Sequence, residues 1–181
     1  MPAGCTEGTL ESIARMVCQT GARRLCVLGD LFHDATSLSA DVRASVEHFF
    51  EGHQNLEILL VRGNHDQRVG RLPKQWPIRE VDEGEREGNV WLGHYPIEAV
   101  PDSVLYLCGH VHPAIRIGTR QESLGVFPCF WLSQGCLVLP AIGEFTGTHR
   151  IDPSAEDQVW AVVEDQVIPH HRSSGKVGSG Q

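Results

Sequence analysis

The sequence predicts a single α/β domain in which two β-sheets pack face to face with helices outside. Helical and strand-like runs alternate in the first half of the chain, short strand-like runs fill the second half, and polar motifs follow several of these runs. The 181 residues, 41% of them hydrophobic, suffice for one core. We therefore expect one domain over residues 1–170 and a disordered Gly/Ser-rich tail over residues 171–181.

Two helices and two strands alternate in the first half. The first helix is predicted after Thr6, because apolar residues then recur with helical spacing, at Leu10, Ile13, Ala14 and Val17. The apolar run Leu25–Leu28 follows as a strand covered on both faces. A second helix from about Ser39 precedes the strand Leu56–Val61 and carries one apolar stripe, formed by Val42, Val46, Phe49 and Phe50. This order indicates right-handed crossovers and a largely parallel sheet.

Short strands dominate the sequence after Pro77. Gly- or Pro-bearing turns separate seven predicted strands: Ile78–Val81, Asn89–Leu92, Val104–Leu107, Ala114–Ile117, Cys129–Leu132, Leu137–Leu139 and Val159–Val163. We expect them to form a mixed or antiparallel sheet, packed on the first sheet so that loops from both meet along one rim.

Composition narrows the class of protein. No run approaches the roughly 18–20 apolar residues of a membrane span, and the N-terminus lacks a secretory signal pattern, so we expect a cytoplasmic protein that does not enter a membrane. The six cysteines form no C-x-x-C pair, which favours free thiols over disulfides or a zinc site. A formal charge of -8 argues against a grip on nucleic acid through the whole surface, so any phosphate-binding face must be local.

A glycine-aspartate pair follows the first predicted strand. Asp30 comes directly after Gly29, and a carboxylate at the end of a buried strand can bridge two divalent cations roughly 3.5–4 Å apart. A lone Gly-Asp is more often the start of a turn or the cap of a helix. Asp30 is therefore a candidate metal ligand only together with the other motifs.

The motif Gly63-Asn64-His65-Asp66 follows the second predicted strand. Asn64 offers an amide oxygen to a metal, and His65 can protonate a leaving alkoxide. Asp66 could hold the imidazole of His65 in the required tautomer, which makes both residues candidate catalytic groups. The alternative interpretation is an Asn/Asp turn with a surface histidine.

Histidines follow two strands of the second half. In Gly109-His110-Val111-His112 the imidazoles are two residues apart, so an extended segment would direct both to one face, where they could reach two adjacent ions. Such pairs also occur by chance on exposed strands. His94 follows the strand that ends at Leu92 and is a further candidate ligand, although a satisfied strand-end histidine is the commoner case.

Taken in order, these motifs resemble the calcineurin-like metallophosphoesterase superfamily, whose signature is Asp-x-His, Gly-Asp, Gly-Asn-His-Asp/Glu, a His and Gly-His-x-His. Further stretches are similar to its bacterial branch of ligase-associated DNA-damage-response phosphoesterases (PdeM type), namely Pro2–Gly4, Leu28–His33, Pro128–Trp131 and Leu139–Gly147. The resemblance implies a four-layer αββα sandwich of two mixed sheets. It also implies hydrolysis of a phosphoester, with a DNA or nucleotide diester as substrate and a DNA ligase and helicase as partners of the same system.

The resemblance also implies two divalent metal ions, manganese being the first choice and iron or zinc the alternatives. One ion would bind Asp30, Asn64, His94 and His110, and the other would share Asp30 and take His112. Family members complete the second site with an Asp-x-His motif on the first strand, and no such motif precedes Asp30 here. Neither His33 nor Asp34 is an obvious replacement, so we expect an incomplete second site.

We interpret the missing motif as a late start, in a fragment or from a mis-assigned start codon, so that the domain is N-terminally truncated. Loss of a first strand would uncover the edge of the neighbouring strand at Leu25–Leu28. We therefore expect marginal stability and self-association, which sedimentation would reveal.

A local basic segment surrounds the second motif and suggests how substrate binds. Its members are Arg62, Arg68, Arg71, Lys74 and Arg79, with few acidic residues among them, and Arg62 and Arg68 are the candidate substrate-binding residues. A solvated loop is the alternative. Three functions remain open: a nuclease acting in DNA repair on ends or single strands, a small-molecule phosphodiesterase or phosphatase, and an impaired remnant that binds one metal or a partner.

Overall fold

The computed structural model describes residues 4–33, 37–118, 123–143, 146–164 and 166–170. It confirms the predicted class, because helices and two β-sheets build one mixed α/β structure. Three helices are described: α1 (Gly4–Thr20), α2 (Ala40–Gly52) and α3 (Asn64–Val69). No helix in these ranges is both long and apolar enough to cross a membrane.

The first sheet has three strands, in the order β1 (Arg24–Val27), β2 (Glu57–Val61) and β3 (Ile78–Val81). All three run parallel. We predicted β3 as part of the second sheet, and that prediction is wrong, since Val61 pairs with Val81 in the first sheet. The sheet is therefore fully parallel, and β1 lies at one edge of the strands described here.

The helices α1 and α2 cover one face of this sheet. The predicted apolar residues of α1 pack around Phe49, Leu56 and Ile58. α2 begins where expected, because the side chain of Ser39 accepts a hydrogen bond from the backbone N–H of Val42 at 3.4 Å. α3 was not predicted, and it begins with Asn64, His65 and Asp66 of the second motif.

The second sheet has nine strands: β4 (Glu85–Glu87), β5 (Val90–Leu92), β6 (Leu105–Cys108), β7 (Pro113–Gly118), β8 (Ser123–Ser133), β9 (Cys136–Val138), β10 (His149–Arg150), β11 (Gln158–Val163) and β12 (Gln166–His170). It is mixed, as predicted, because β5–β6 and β6–β9 are parallel while β8 runs antiparallel to β7, β9 and β11. β4, β10 and β12 were not predicted. Each is short or polar enough that its sequence carries little strand signal.

The two sheets meet through an apolar layer in which Leu59 and Val61 of β2 contact Leu92 and Leu107 of the second sheet. All three described helices contribute apolar residues to clusters on the first sheet, so the described part of the chain shows a helical layer, the first sheet and the second sheet, and the expected outer helical layer is not among the described residues. Cys18, Cys26, Cys108, Cys129 and Cys136 are free thiols, as predicted. The predicted disordered tail lies outside the described residues.

Candidate metal centre and catalytic site

Four of the predicted ligands lie in loops at one end of the stacked sheets. Asp30 follows β1, Asn64 opens α3 just after β2, His94 follows β5, and His110 follows β6. Because β1 and β2 are parallel neighbours, as are β5 and β6, their C-terminal ends deliver these residues to a common rim.

The ligand atoms of these four residues converge on one point. Ligand atoms of Asp30, His94 and His110 all lie within 4.8 Å of one another. His94 Nε2 is 3.4 Å from Asp30 Oδ2 and 3.2 Å from His110 Nδ1. Asn64 Oδ1 joins the cluster at 3.2 Å from the same nitrogen. We call Asp30, Asn64, His94 and His110 the ligand cluster.

The donor chemistry of the ligand cluster fits a divalent cation. His94 Nδ1 lies 2.8 Å from the carbonyl oxygen of Leu28, which can only accept, so this nitrogen carries the proton. In the neutral ring Nε2 therefore presents a lone pair to a carboxylate, an amide oxygen and a second imidazole. A proton on Nε2 can satisfy one such acceptor, whereas a cation binds all of them, and mixed nitrogen and oxygen ligands suit manganese, iron or zinc.

Two glycines allow this close approach. Gly29 has φ +91°, and a Cβ there would overlap the ring of His94. A Cβ at Gly63 would overlap Oδ1 of Asp30. The glycines of both motifs therefore make room for the ligands, beyond allowing the chain to turn.

The backbone at the ligands is strained. Asp30 has φ 55° and His110 has φ 66°, in the left-handed region that costs a residue with a Cβ about 1–2 kcal/mol. Strain of this kind persists where surrounding contacts hold it, and it clusters at functional sites.

Charge within the ligand cluster is balanced between Asp30 and His94. Burial acts to raise the pKa of Asp30, but hydrogen bonds from His94 and from the His65 amide outweigh it and the pKa is lowered. Burial acts to lower the pKa of His94, yet the bonds to Asp30 and Leu28 raise it. Burial, followed by the nearby charge of His94, lowers the pKa of His110.

His112 lies apart from the ligand cluster. Its Nδ1 is 3.0 Å from the carbonyl oxygen of Gly147, which leaves Nε2 with a free lone pair. The predicted extended segment is wrong, since His110 and His112 both have positive φ in a loop between β6 and β7. The two imidazoles therefore do not leave the same face of a strand, and only His110 enters the cluster.

His65 lies beside the cluster at the start of α3. Its backbone N–H donates to Asp30 Oδ1 at 2.9 Å, and its Nδ1 is 2.9 Å from the carbonyl oxygen of His33. Because a carbonyl only accepts, Nδ1 carries the proton and Nε2 is the atom available for proton exchange. The rings of His33 and His65 stack with centroids 4.3 Å apart.

Asp66, predicted to orient the imidazole of His65, is buried and binds backbone groups. The Asp66 side chain is 2% exposed, and its carboxylate accepts backbone N–H groups of Asp30 (2.7 Å), Gly63 (2.9 Å) and Phe32 (3.2 Å). This carboxylate therefore fixes the loops that follow β1 and β2. The His65 imidazole is oriented by the carbonyl oxygen of His33, where we expected the Asp66 carboxylate.

Arg62, predicted to bind substrate, is buried and engaged within the fold. Arg62 is 8% exposed, and its guanidinium donates at 2.7 Å to the carbonyl oxygens of Asp66 and Gly70. It also donates to Asp82 at 3.1 Å, and its Nε lies 3.3 Å from Glu80 Oε2 as an ion pair without hydrogen-bond alignment. Arg62 is occupied in holding α3 against β3.

The predicted basic segment is largely neutralised. Arg71 pairs with Asp82 at 2.6 Å, and Arg79 pairs with Glu85 at 2.9 Å. Arg68 is exposed in the last turn of α3 and stays a candidate substrate-binding residue.

Sequence reasoning missed two residues of the site. His33 supplies the acceptor for His65, and Tyr95 has its hydroxyl 3.5 Å from Asn64 Oδ1. Their positions next to a recognised motif were the only available signal. The possible replacement ligand Asp34 and residues 144–145 of the Leu139–Gly147 stretch lie outside the described residues.

Comparison with known proteins agrees with this geometry. Residues 4–171 match the family described as calcineurin-like phosphoesterase. The crystal structure of Pseudomonas putida nuclease MPE superposes with a TM-score of 0.82 at 32% sequence identity, covering 94% of this chain and 81% of that one. No curated protein sequence matches the chain. With its ligand cluster at the rim and a family match over most of its length, the chain belongs to the calcineurin-like phosphoesterase family and is a phosphoesterase.

Proposed function

We propose that this phosphoesterase is a nuclease that hydrolyses phosphodiesters of DNA, at ends or in single strands. The observation that carries the proposal is the convergence of ligand atoms of Asp30, Asn64 and His110 around His94 Nε2, with His65 beside them. The similarity to a protein named as a nuclease supports a diester of nucleic acid over other phosphoesters.

The ligand cluster would hold one cation, with Asp30 as the bridging ligand toward a second cation that also takes His112. Manganese is the proposed metal for both sites, since mixed imidazole, carboxylate and amide ligands suit it. A divalent cation bound here supplies Lewis-acid activation of the phosphate and of the attacking water. The free lone pair on His112 Nε2 supports its part in the second site.

The proposed role of His65 is to protonate the leaving oxygen. Its Nδ1–H is held by the His33 carbonyl, so a proton delivered from the imidazolium leaves from Nε2. The hydrogen bond from the His65 amide to Asp30 ties this donor to the bridging carboxylate. Arg68, exposed on α3, would contact a phosphate of the bound strand.

The proposed setting is cytoplasmic DNA repair, with a DNA ligase and a helicase as partners. Its support is the sequence resemblance in residues 28–33, 128–131 and 139–147. Co-purification of the ligase with the tagged chain, from cells under DNA damage, tests this association. A tagged His94→Ala variant is the control, because it preserves the surface outside the site.

The activity can be tested with the purified chain and three substrates in Mn²⁺: bis-p-nitrophenyl phosphate, a single-stranded oligonucleotide and a 2′,3′-cyclic nucleotide. We expect cleavage of the first two, abolished by EDTA and by His94→Ala, while His48→Ala, on the exposed side of α2, retains it. Turnover of the cyclic nucleotide with an intact oligonucleotide would favour a small-molecule phosphodiesterase. Absence of metal-dependent turnover on every substrate would reject the nuclease and favour a remnant.

A further inference from the structure

An exposed aromatic ring lies beside the ligand cluster and has no part in the chemistry described above. Tyr95 directly follows His94, and 45% of its surface is exposed. Its ring centroid is 4.7 Å from that of His94 and 4.6 Å from that of His110, with interplanar angles of 75° and 62°. Nearly half of the residue stays exposed despite these two edge contacts, so a flat ligand can reach the ring.

The backbone beneath this ring is fixed. The hydroxyl of Tyr106 donates to the carbonyl oxygen of Tyr95 at 2.9 Å. Gly93 makes room for that contact, since a Cβ there would overlap the Tyr106 hydroxyl. Together with the contacts of the ring to His94 and His110, this holds the ring in place before any ligand arrives, which lowers the entropic cost of binding.

Electrostatic attraction near the site is weak. The chain has a formal charge of -8, and Arg62, Arg71 and Arg79 are engaged in ion pairs with Glu80, Asp82 and Glu85. Among the described residues, these paired arginines offer a polyanionic strand little free positive charge, so in the absence of metal its affinity needs a contribution beyond phosphate contacts. Stacking of a base on an aromatic ring provides one, because every base has a π-face.

We propose that Tyr95 is a substrate-binding residue that stacks on an unpaired nucleobase next to the scissile phosphate. This inference rests on the proposed function and adds a basis for selecting diesters that carry bases over diesters that do not. A base inside a duplex has both faces covered by its neighbours, so the stacked base must be terminal or flipped away from them.

The test is equilibrium binding in EDTA, followed by fluorescence anisotropy. The probes are oligo(dT) and a fully abasic strand of the same length and charge, so their affinities differ only through the bases. We expect Tyr95→Leu to reduce the ratio of the two affinities about tenfold. Tyr95→Phe should keep the ratio, because it preserves the ring, and Val167→Ser, at an exposed position on β12, is the control.

A wild-type affinity ratio in the Tyr95→Leu variant would overturn the proposal. An equal reduction of the ratio in Tyr95→Phe would also overturn it, because it would assign the effect to the hydroxyl. A Tyr95→Trp variant guards against misfolding of the leucine variant, since oligo(dT) should quench its added fluorescence and the abasic strand should not. Hydrolysis of bis-p-nitrophenyl phosphate by the wild type in Mn²⁺ is measured separately. Its absence would reject the phosphodiesterase function while the binding ratio still reports on Tyr95.

Discussion

The carboxylate of Asp66 accepts a hydrogen bond from the backbone N–H of Asp30 at 2.7 Å, and so joins the loop after β1 to the loop after β2. The same carboxylate accepts from Gly63 and Phe32. Asp30 has a left-handed backbone at this point. The buried carboxylate of Asp66 thus holds Asp30, the proposed bridging ligand, in a backbone conformation that an aspartate alone disfavours.

We expect Asp66→Asn to destabilise the protein, because the amide places an N–H₂ group among backbone donors that need an acceptor. Loss of charge-assisted hydrogen bonds in a buried position costs about 3 kcal/mol, and Mn²⁺ affinity should fall with it as the Asp30 loop relaxes. Urea unfolding in EDTA measures the first effect and calorimetric titration the second. Asp102→Asn, at an exposed position, is the matched control. An unfolding free energy equal to that of the control would contradict the structural role of Asp66.

Removal of His94 should abolish metal binding at the ligand cluster, because its Nε2 lies within 3.4 Å of the other three ligand atoms. We expect His94→Ala to weaken Mn²⁺ binding by more than about 100-fold, since even a residue that only supports a ligand is worth 10–100-fold. His48→Ala removes an exposed imidazole from α2 and should bind as the wild type does. Competition with a fluorescent chelator gives both affinities, and equal values would exclude this cluster as the metal site.

Much of the site was predictable because the sequence encodes it locally. Each ligand follows an apolar run, and parallel neighbours bring the ends of such runs together, as with Asp30 and Asn64 after β1 and β2. The glycines before these ligands were visible too. Their close contacts with His94 and Asp30 required the folded structure.

The sequence could not show the side-chain partners that depend on pairing between strands. Arg62 directly precedes a motif and looked available, but Val61 pairs with Val81 in the parallel sheet, which places Arg62 beside Asp82 and Glu80. The sequence alone assigns β3 equally well to either sheet. It therefore could not show that Arg62 lies beside Glu80 and Asp82. The partners of Asp66 were hidden for a related reason, because two backbone N–H groups that donate to its carboxylate lie 34–36 residues away on the Asp30 loop.

The two histidines beside the cluster should differ in their effect on turnover. We expect His65→Ala to lower kcat on an oligonucleotide by about 10²–10⁴-fold, the contribution of a positioned acid, and to act less on bis-p-nitrophenyl phosphate, whose leaving group needs little protonation. His33→Ala keeps the carbonyl that accepts from His65 and removes only the stacked ring, so we expect a smaller decrease in kcat from this variant. Equal losses on both substrates would remove His65 from the role of proton donor.

Substitution of Arg62, just before α3, and of Arg68, within α3, should separate an effect on stability from an effect on substrate binding. Arg62→Ala leaves Glu80 with its longer ion pair to Arg71, at 3.9 Å, and frees two carbonyl oxygens, so we expect a loss of about 3 kcal/mol of unfolding free energy. Arg68→Ala removes an exposed charge, so we expect an unchanged unfolding free energy and a raised KM for an oligonucleotide that becomes less sensitive to salt. Urea unfolding and initial rates at two salt concentrations measure these effects. A stable Arg62→Ala variant with raised KM would restore the direct role in substrate binding that the buried guanidinium argues against.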